Sequence, residues 1–231
     1  MAAADDRSGG AGTAAAPRPR RVLLVDDHPI VRKGLSRLIE NHAGLEVCAE
    51  AEGVRGARDA IREHQPDVVV VDLSLKDGDG IELVREVRAH HPGLPLLVLS
   101  MHDESVYAER LLAAGASGYI MKQAASELFI HALEEVLAGR TYISDAVSAQ
   151  LRHKAAAGGI RNGSTATDAL SNRELQILEM IGRGLSSRQV AESLNLSIKT
   201  IEAHRQRMKR KLNLKSGAQL VNFAVTWVAS H

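Results

Sequence analysis

Five polar residues stand where apolar runs end. Asp26 and Asp27 follow Val22-Leu23-Leu24-Val25, Asp72 follows four consecutive valines, Ser100 follows Pro95-Leu96-Leu97-Val98-Leu99, and Lys122 follows Gly118-Tyr119-Ile120-Met121. Three carboxylates gathered at one edge repel one another unless a cation lies among them. Oxygen ligands, with neither a thiolate nor clustered histidines, favour Mg2+ over zinc. An ammonium and a hydroxyl complete what a transferring phosphoryl group needs. The metal and Lys122 would neutralise its equatorial oxygens, Ser100 would supply a hydroxyl, and Asp72 would attack the phosphorus.

Such convergence requires a parallel sheet. The run 67–72, Asp-Val-Val-Val-Val-Asp, is too uniformly apolar for a strand with one wet face. It reads as a strand buried on both faces, and the crevice of an open α/β sheet lies just beyond the carboxyl ends of its strands. Further strands are predicted at 22–25, 45–50, 95–99 and 118–121, each followed by a segment of helical periodicity. Ser126 is the expected N-cap of the last of these helices and Gly139 its stop. Strict alternation implies right-handed crossovers with helices on both faces.

From Leu170 onward the pattern is helical only. Ser171 with Glu174 forms a capping box, Leu175, Leu178, Met180 and Ile181 make an apolar face, and further helices are predicted at 186–194, 198–212 and from Ser216. Two helices on a tight turn, the second strongly basic, have the form of a helix-turn-helix. Charge divides the same way. Residues 21–140 hold 13 Lys+Arg against 20 Asp+Glu, whereas residues 168–231 hold 10 against 5. A cationic rear half suits nucleic acid. Residues 141–167 contain a short helical piece and then an Ala/Gly/Ser/Thr stretch without a core pattern, expected to be a flexible linker. Residues 1–20 lack an apolar h-region and are expected to be a disordered leader rather than a signal peptide. The one cysteine, Cys48, excludes an internal disulfide. It is expected as a small buried hydrophobe in a reducing, cytoplasmic setting, and no apolar run approaches membrane-spanning length.

Residues 21–140 resemble the receiver domains of two-component signalling. Asp26, Asp27, Asp72, Ser100, Tyr119 and Lys122 fill that family's acidic pair, acceptor, hydroxyl, aromatic and lysine positions. The resemblance implies that Asp72 accepts phosphate from a histidine kinase. It also implies that Asp27, Asp72 and the Ser74 carbonyl bind Mg2+, with Asp26 acting mainly through water. Ser100 would be drawn to the phosphoryl oxygens and Tyr119 would turn inward. Lys76 and Gln123 stand where many receivers carry proline, which bears on loop geometry and not on the reacting groups.

Residues 168–231 resemble the four-helix DNA-binding domain of the LuxR/NarL type, through Leu170-Ser171-Asn172-Arg173-Glu174, Gly184-Leu185-Ser186, Val190-Ala191 and the run 197–204. Its third helix is then the recognition helix. Lys199, Thr200, Arg205 and Lys209 are expected on phosphates, and Glu202, Ala203 and Gln206 on base edges. His204 is expected to pack or to touch a phosphate.

The expected fold is thus α/β, a five-stranded parallel flavodoxin-like (CheY-like) receiver at 21–140, followed by an all-α four-helix helix-turn-helix domain at 168–231. The expected protein is a transcription-regulating response regulator, not a metabolic enzyme. It would be a homodimer when phosphorylated, with promoter DNA and a sensor histidine kinase as partners. A haloacid-dehalogenase-like phosphatase would need a second Asp two residues after the nucleophile, where Ser74 stands. A constitutive DNA binder with a degenerate receiver would not keep the full acidic set.

Overall fold

The computed structural model describes residues 18–124, 126–156, 166–194 and 196–230. Most of the expected leader and residues 157–165 of the expected linker lie outside them. Five strands, β1 (Arg20–Val25), β2 (Leu45–Ala51), β3 (Val68–Asp72), β4 (Leu96–Ser100) and β5 (Gly118–Met121), pair in parallel in the order β2-β1-β3-β4-β5. They alternate with α1 (Pro29–Glu40), α2 (Val54–His64), α3 (Gly80–His90), α4 (Glu104–Ala114) and α5 (Ser126–Leu137). Ser126 opens α5 as its first helical residue, and the chain turns at Gly139 with φ +78°.

Every residue of β3 and β4 is buried, as continuous apolar runs require. Alternate side chains go to opposite faces. Val22, Leu24, Val68, Val70 and Leu97 share one core with Leu35, Ile39, Phe129 and Leu133 of α1 and α5. Leu23, Val25, Val69, Val71 and Val98 share the other with Ile61, Val84 and Leu111 of α2, α3 and α4. Strand order reverses between β1 and β3, where an open sheet splits to leave a crevice. Asp26, Asp27 and Asp72 stand at that split.

The chain does not leave the sheet at residue 140. The Tyr142 N–H donates to the Ser117 carbonyl (3.1 Å), and its own carbonyl accepts from the Tyr119 N–H (2.8 Å). The Ser144 N–H donates to Glu104 Oε1 (2.8 Å), and Val147, on α6 (Asp145–Ala156), is buried against α4. The short helix expected at the start of 141–167 is thus present as α6, packed against α4. An edge strand leaves unpaired backbone groups, and Tyr142 covers those of β5.

A single 3-10 turn (Ala166–Ala169) leads into α7 (Asn172–Gly182), α8 (Ser187–Ser193), α9 (Ile198–Lys211) and α10 (Gly217–Ala229). Ser171, Ser186, Ser197 and Ser216 cap these helices, each accepting from a backbone N–H in the first turn. Each such cap contributes about 1 kcal/mol. Leu175, Ile177, Ile181, Ile201, Met208 and Leu220 form the core. In this domain a Cβ at Gly182 would run into the Ala224 carbonyl oxygen and lie 2.5 Å from Val228 Cγ2. Backbone cannot yield as a side chain can, so Gly182→Ala is expected to cost about 1–3 kcal/mol. Thermal unfolding of this variant should show a lowered melting temperature; an unchanged one would mean that α7 and α10 part easily.

Candidate functional site: an acidic pocket and the helix packed over it

Asp26, Asp27, Asp72 and Ser100 are buried where the strands end, although each is polar. Lys122 Nζ lies 2.7 Å from Asp26 Oδ2 and 2.9 Å from Asp72 Oδ2, its side chain only 6% exposed. Burial pushes the Asp72 carboxyl above the usual range. The Lys122 ammonium opposes this, and the Asp26 charge adds to it. Burial alone would make Lys122 easier to deprotonate, but Asp72 and Asp26 outweigh it and hold the ammonium above its ordinary pKa. The Ser74 backbone N–H donates to the Asp72 carboxylate.

One ammonium among three buried carboxylates leaves negative charge unmatched. Asp27 Oδ1 is buried and lies 2.7 Å from His28 Nδ1. Ligand atoms from Asp26, Asp27, Asp72 and His28 lie within 4.8 Å of one another. An oxygen-rich set whose charge a single lysine does not balance fits a divalent cation. Lys76, where many receivers have proline, extends Nζ to the Asp27 carbonyl (3.4 Å).

Ser100 Oγ accepts from the His102 N–H (3.2 Å), and the Tyr119 hydroxyl donates to the His102 carbonyl (2.7 Å). Tyr119 is inward, its side chain 1% exposed. Burial holds its phenol well above the ordinary pKa.

On α9, Lys199, Glu202, Ala203 and Gln206 are exposed, and Lys209 is half-buried. The Arg205 guanidinium donates to Ser187 Oγ (3.1 Å), which itself donates to Glu202 Oε1 (2.6 Å). The Thr200 hydroxyl lies 2.8 Å from that of the cap Ser197, and Thr200 turns toward the α/β body. His204 is half-buried with Nδ1 unpaired among the described residues.

Helix α7 is buried on more than its apolar face, for Glu174, Gln176 and Glu179 are buried too. Glu174 is matched inside its own domain by Lys211 Nζ (2.7 Å). The others face the body. Gln176 Nε2 donates to Ser74 Oγ (3.0 Å) and lies 3.2 Å from His102 Nε2, while His102 Nδ1 lies 3.4 Å from Glu179 Oε2. Asn172 Nδ2 donates weakly to Asp79 Oδ2 (3.3 Å), and the Arg110 guanidinium donates to the carbonyls of Leu170 and Thr167. Between the two parts lies a cavity of about 210 Å³, lined among others by Ser74, Lys76, Tyr107, Arg173, Thr200 and His204. None of His28, His102, Gln176 and Glu179 was singled out in the sequence. For His28 and His102 the available signal was position, one residue after the acidic pair and two after Ser100.

Comparison with known proteins matches this geometry. Residues 22–134 match the response regulator receiver domain, and residues 168–224 match the bacterial regulatory proteins of the luxR family. The oxygen regulatory protein NreC of Staphylococcus carnosus is 35% identical over 210 residues, covering 89% of this chain and 96% of that protein. Its Staphylococcus aureus namesake is 34% identical over 209 residues, with the same coverage. Among solved structures, a LuxR-family two-component response regulator from an Aurantimonas species is 39% identical, covers 60% of this chain and 99% of that one, and has a TM-score of 0.56. Salmonella typhimurium RcsB is 27% identical over 91% of this chain and 98% of its own, with a TM-score of 0.61. The chain belongs to the two-component response regulators that join a receiver domain to a luxR-family DNA-binding domain, and it resembles the NreC-like members of the NarL type. Such proteins regulate transcription. Among the described residues no helix is long and apolar enough to cross a membrane.

Proposed function

We propose that this regulator is switched by phosphorylation of Asp72 and that the closed arrangement of its two parts is the resting state. Residues 21–140 receive the phosphoryl group, residues 168–231 bind promoter DNA, and 141–167 connect them. In this reading Asp27, Asp72 and the Ser74 carbonyl hold Mg2+, with Asp26 acting through water. Mg2+, when bound, neutralises charge on the phosphoryl oxygens. The donor is a histidine kinase. An Asp72 carboxylate oxygen forms the bond to phosphorus as the bond from phosphorus to the donor's imidazole nitrogen breaks, and the imidazole leaves. Lys122 is already paired with Asp72 and stands ready to neutralise another oxygen, and Ser100 donates its hydroxyl. The product carries about −1.5 to −2 charge and strong acceptor oxygens. No substrate is turned over in this scheme.

What carries the reading is the contact between the two parts. Ser74 and His102, both beside the acceptor strands, hold Gln176 and Glu179 of α7. Thr200 and His204 of the recognition helix line the cavity so enclosed. Thr200 cannot reach a DNA backbone until the parts separate. Drawing Ser100 toward a phosphoryl group pulls on the His102 N–H that it accepts from and so loosens that contact. A structure titled as Salmonella RcsB bound to promoter rprA with phosphomimetic BeF3−, 28% identical with a TM-score of 0.57, supports DNA binding in a phosphorylated-like state. Another, titled as two RcsB dimers on two parallel DNAs, supports a dimer. Here α10 presents Val221 and Val225, one turn apart, to solvent.

The test is recovery of DNA fragments by the full chain with and without acetyl phosphate. Strong enrichment only with the phospho-donor is expected; equal recovery would leave the receiver without a role in DNA binding. On a recovered fragment, Lys199→Ala should weaken binding roughly evenly across sequence variants and reduce the log–log salt slope by about 1, as loss of one phosphate contact does. Anisotropy titrations at several salt concentrations measure this, and an unchanged slope would remove Lys199 from the DNA interface.

A further inference from the structure

We infer that Ser187 is a positioning residue for sequence readout: its hydroxyl, on α8, aims the Glu202 carboxylate of the recognition helix at the amino group of a cytosine in the major groove. This rests on the DNA-binding reading above. It adds the base preferred at one position of each half-site and the residue outside α9 that enforces it.

Glu202 lies toward the N-terminal end of α9, the end that reaches base edges in a helix-turn-helix. Its neighbour Ile201 is wholly buried, and Glu202 itself is exposed. A glutamate has several rotatable bonds, and a free one spreads its carboxylate over many positions. This one is held. Ser187 Oγ donates to Glu202 Oε1 (2.6 Å) and accepts from Arg205 Nη1 (3.1 Å), and Arg205 Nε lies 3.7 Å from the same Glu202 oxygen. A serine hydroxyl has one hydrogen to give and lone pairs to receive, and both are in use. Glu202 Oε2 has no hydrogen bond among the described residues. One carboxylate oxygen is fixed and the other is left as an acceptor.

Stability does not account for this network. Helices α8 and α9 already pack through Val190, Ala191 and Ile201, all buried. The Glu202 side chain is 49% exposed, where an ion pair contributes little. The free acceptor selects its ligand. Cytosine offers the major groove an amino donor, whereas guanine offers only acceptors and thymine an acceptor and a methyl group. A carboxylate among phosphates is repelled, and the Arg205 guanidinium beside it offsets that repulsion.

The experiment uses the full chain treated with acetyl phosphate and a DNA fragment that the unaltered protein recovers, with every single base-pair change across its half-sites. The variants are Ser187→Ala, Ser187→Thr and Glu202→Ala. Anisotropy titrations of the unaltered protein should show a preference for cytosine at one pair of each half-site, where a change costs about 5- to 150-fold. Glu202→Ala should lose that preference. Ser187→Ala should shrink it by about 2- to 12-fold, the worth of one hydrogen bond, and should keep the other preferences, the salt slope and the melting temperature. Ser187→Thr, which retains the hydroxyl, should restore it. A cytosine preference untouched by Ser187→Ala, or an equal loss at every pair with a smaller salt slope, would overturn the positioning role. Retention of every preference by Glu202→Ala would overturn the base contact. Failure of the unaltered protein to bind any fragment would instead overturn the DNA-binding reading beneath both.

Discussion

Asp72→Asn takes up no phosphate from acetyl phosphate and Mg2+, where the unaltered chain does. The two side chains have nearly the same shape, so the 2% exposed position and its packing among β-strand ends are kept. What changes is the nucleophile. An amide oxygen does not form the acyl phosphate that a carboxylate oxygen forms. Lys122 keeps its ion pair with Asp26 at 2.7 Å, so the substitution leaves no unpaired buried ammonium. The variant should therefore fold, and its melting temperature is the control. Intact mass after incubation reads the outcome directly. Retained labelling at the level of the unaltered chain would place the acceptor elsewhere and take the switch away from this pocket. Lys122→Ala should keep some labelling at a reduced rate, since it removes charge neutralisation and not the nucleophile.

How much of this could be read from residue order depends on how local each feature is. The β-strand ends were legible because a run such as Val68 to Val71 admits only a doubly buried strand, and because chemistry gathers at the carboxyl edge of a parallel sheet. Asp26, Asp27, Asp72, Ser100 and Lys122 could thus be set together before any coordinate. The Ser171 cap with Glu174 was legible for the same reason, being contained within one turn. Features made by contact between distant elements were not. Gln176 lies 102 residues from Ser74, and nothing near either marks the other. The face assigned to α7 omitted Ile177, which is wholly buried, because a helix packed on two sides has no single apolar stripe. The bond from Arg205 to Ser187 exists only once α8 crosses α9. Tyr142 looked like loop until the open edge of β5 required a cover.

Gln176→Ala combined with Glu179→Ala raises the DNA affinity of the unphosphorylated protein and leaves that of the phosphorylated protein nearly unchanged. Neither residue is on the recognition helix. Both are on α7, with polar ends turned to Ser74 and His102. A binding-competent open form that is only a small fraction of the molecules weakens apparent affinity by that fraction. Removing two net-favourable polar contacts, each contributing about 0.5–1.5 kcal/mol, shifts the closed–open balance by about 1–3 kcal/mol. Affinity without phosphate should then rise about 5- to 150-fold, in the range of ordinary coupling between sites. The Arg110 bonds to the Leu170 and Thr167 carbonyls remain, so the parts stay loosely associated and the gain stops short of full release. Anisotropy titrations with and without acetyl phosphate measure both states on one DNA fragment. The ratio between them should shrink by the same factor. If unphosphorylated affinity is unchanged while the variant still binds normally after phosphorylation, the contact through His102 does not restrain the recognition helix. The restraint would then have to come from the Arg110 side of the interface, where Arg110→Ala gives the corresponding test.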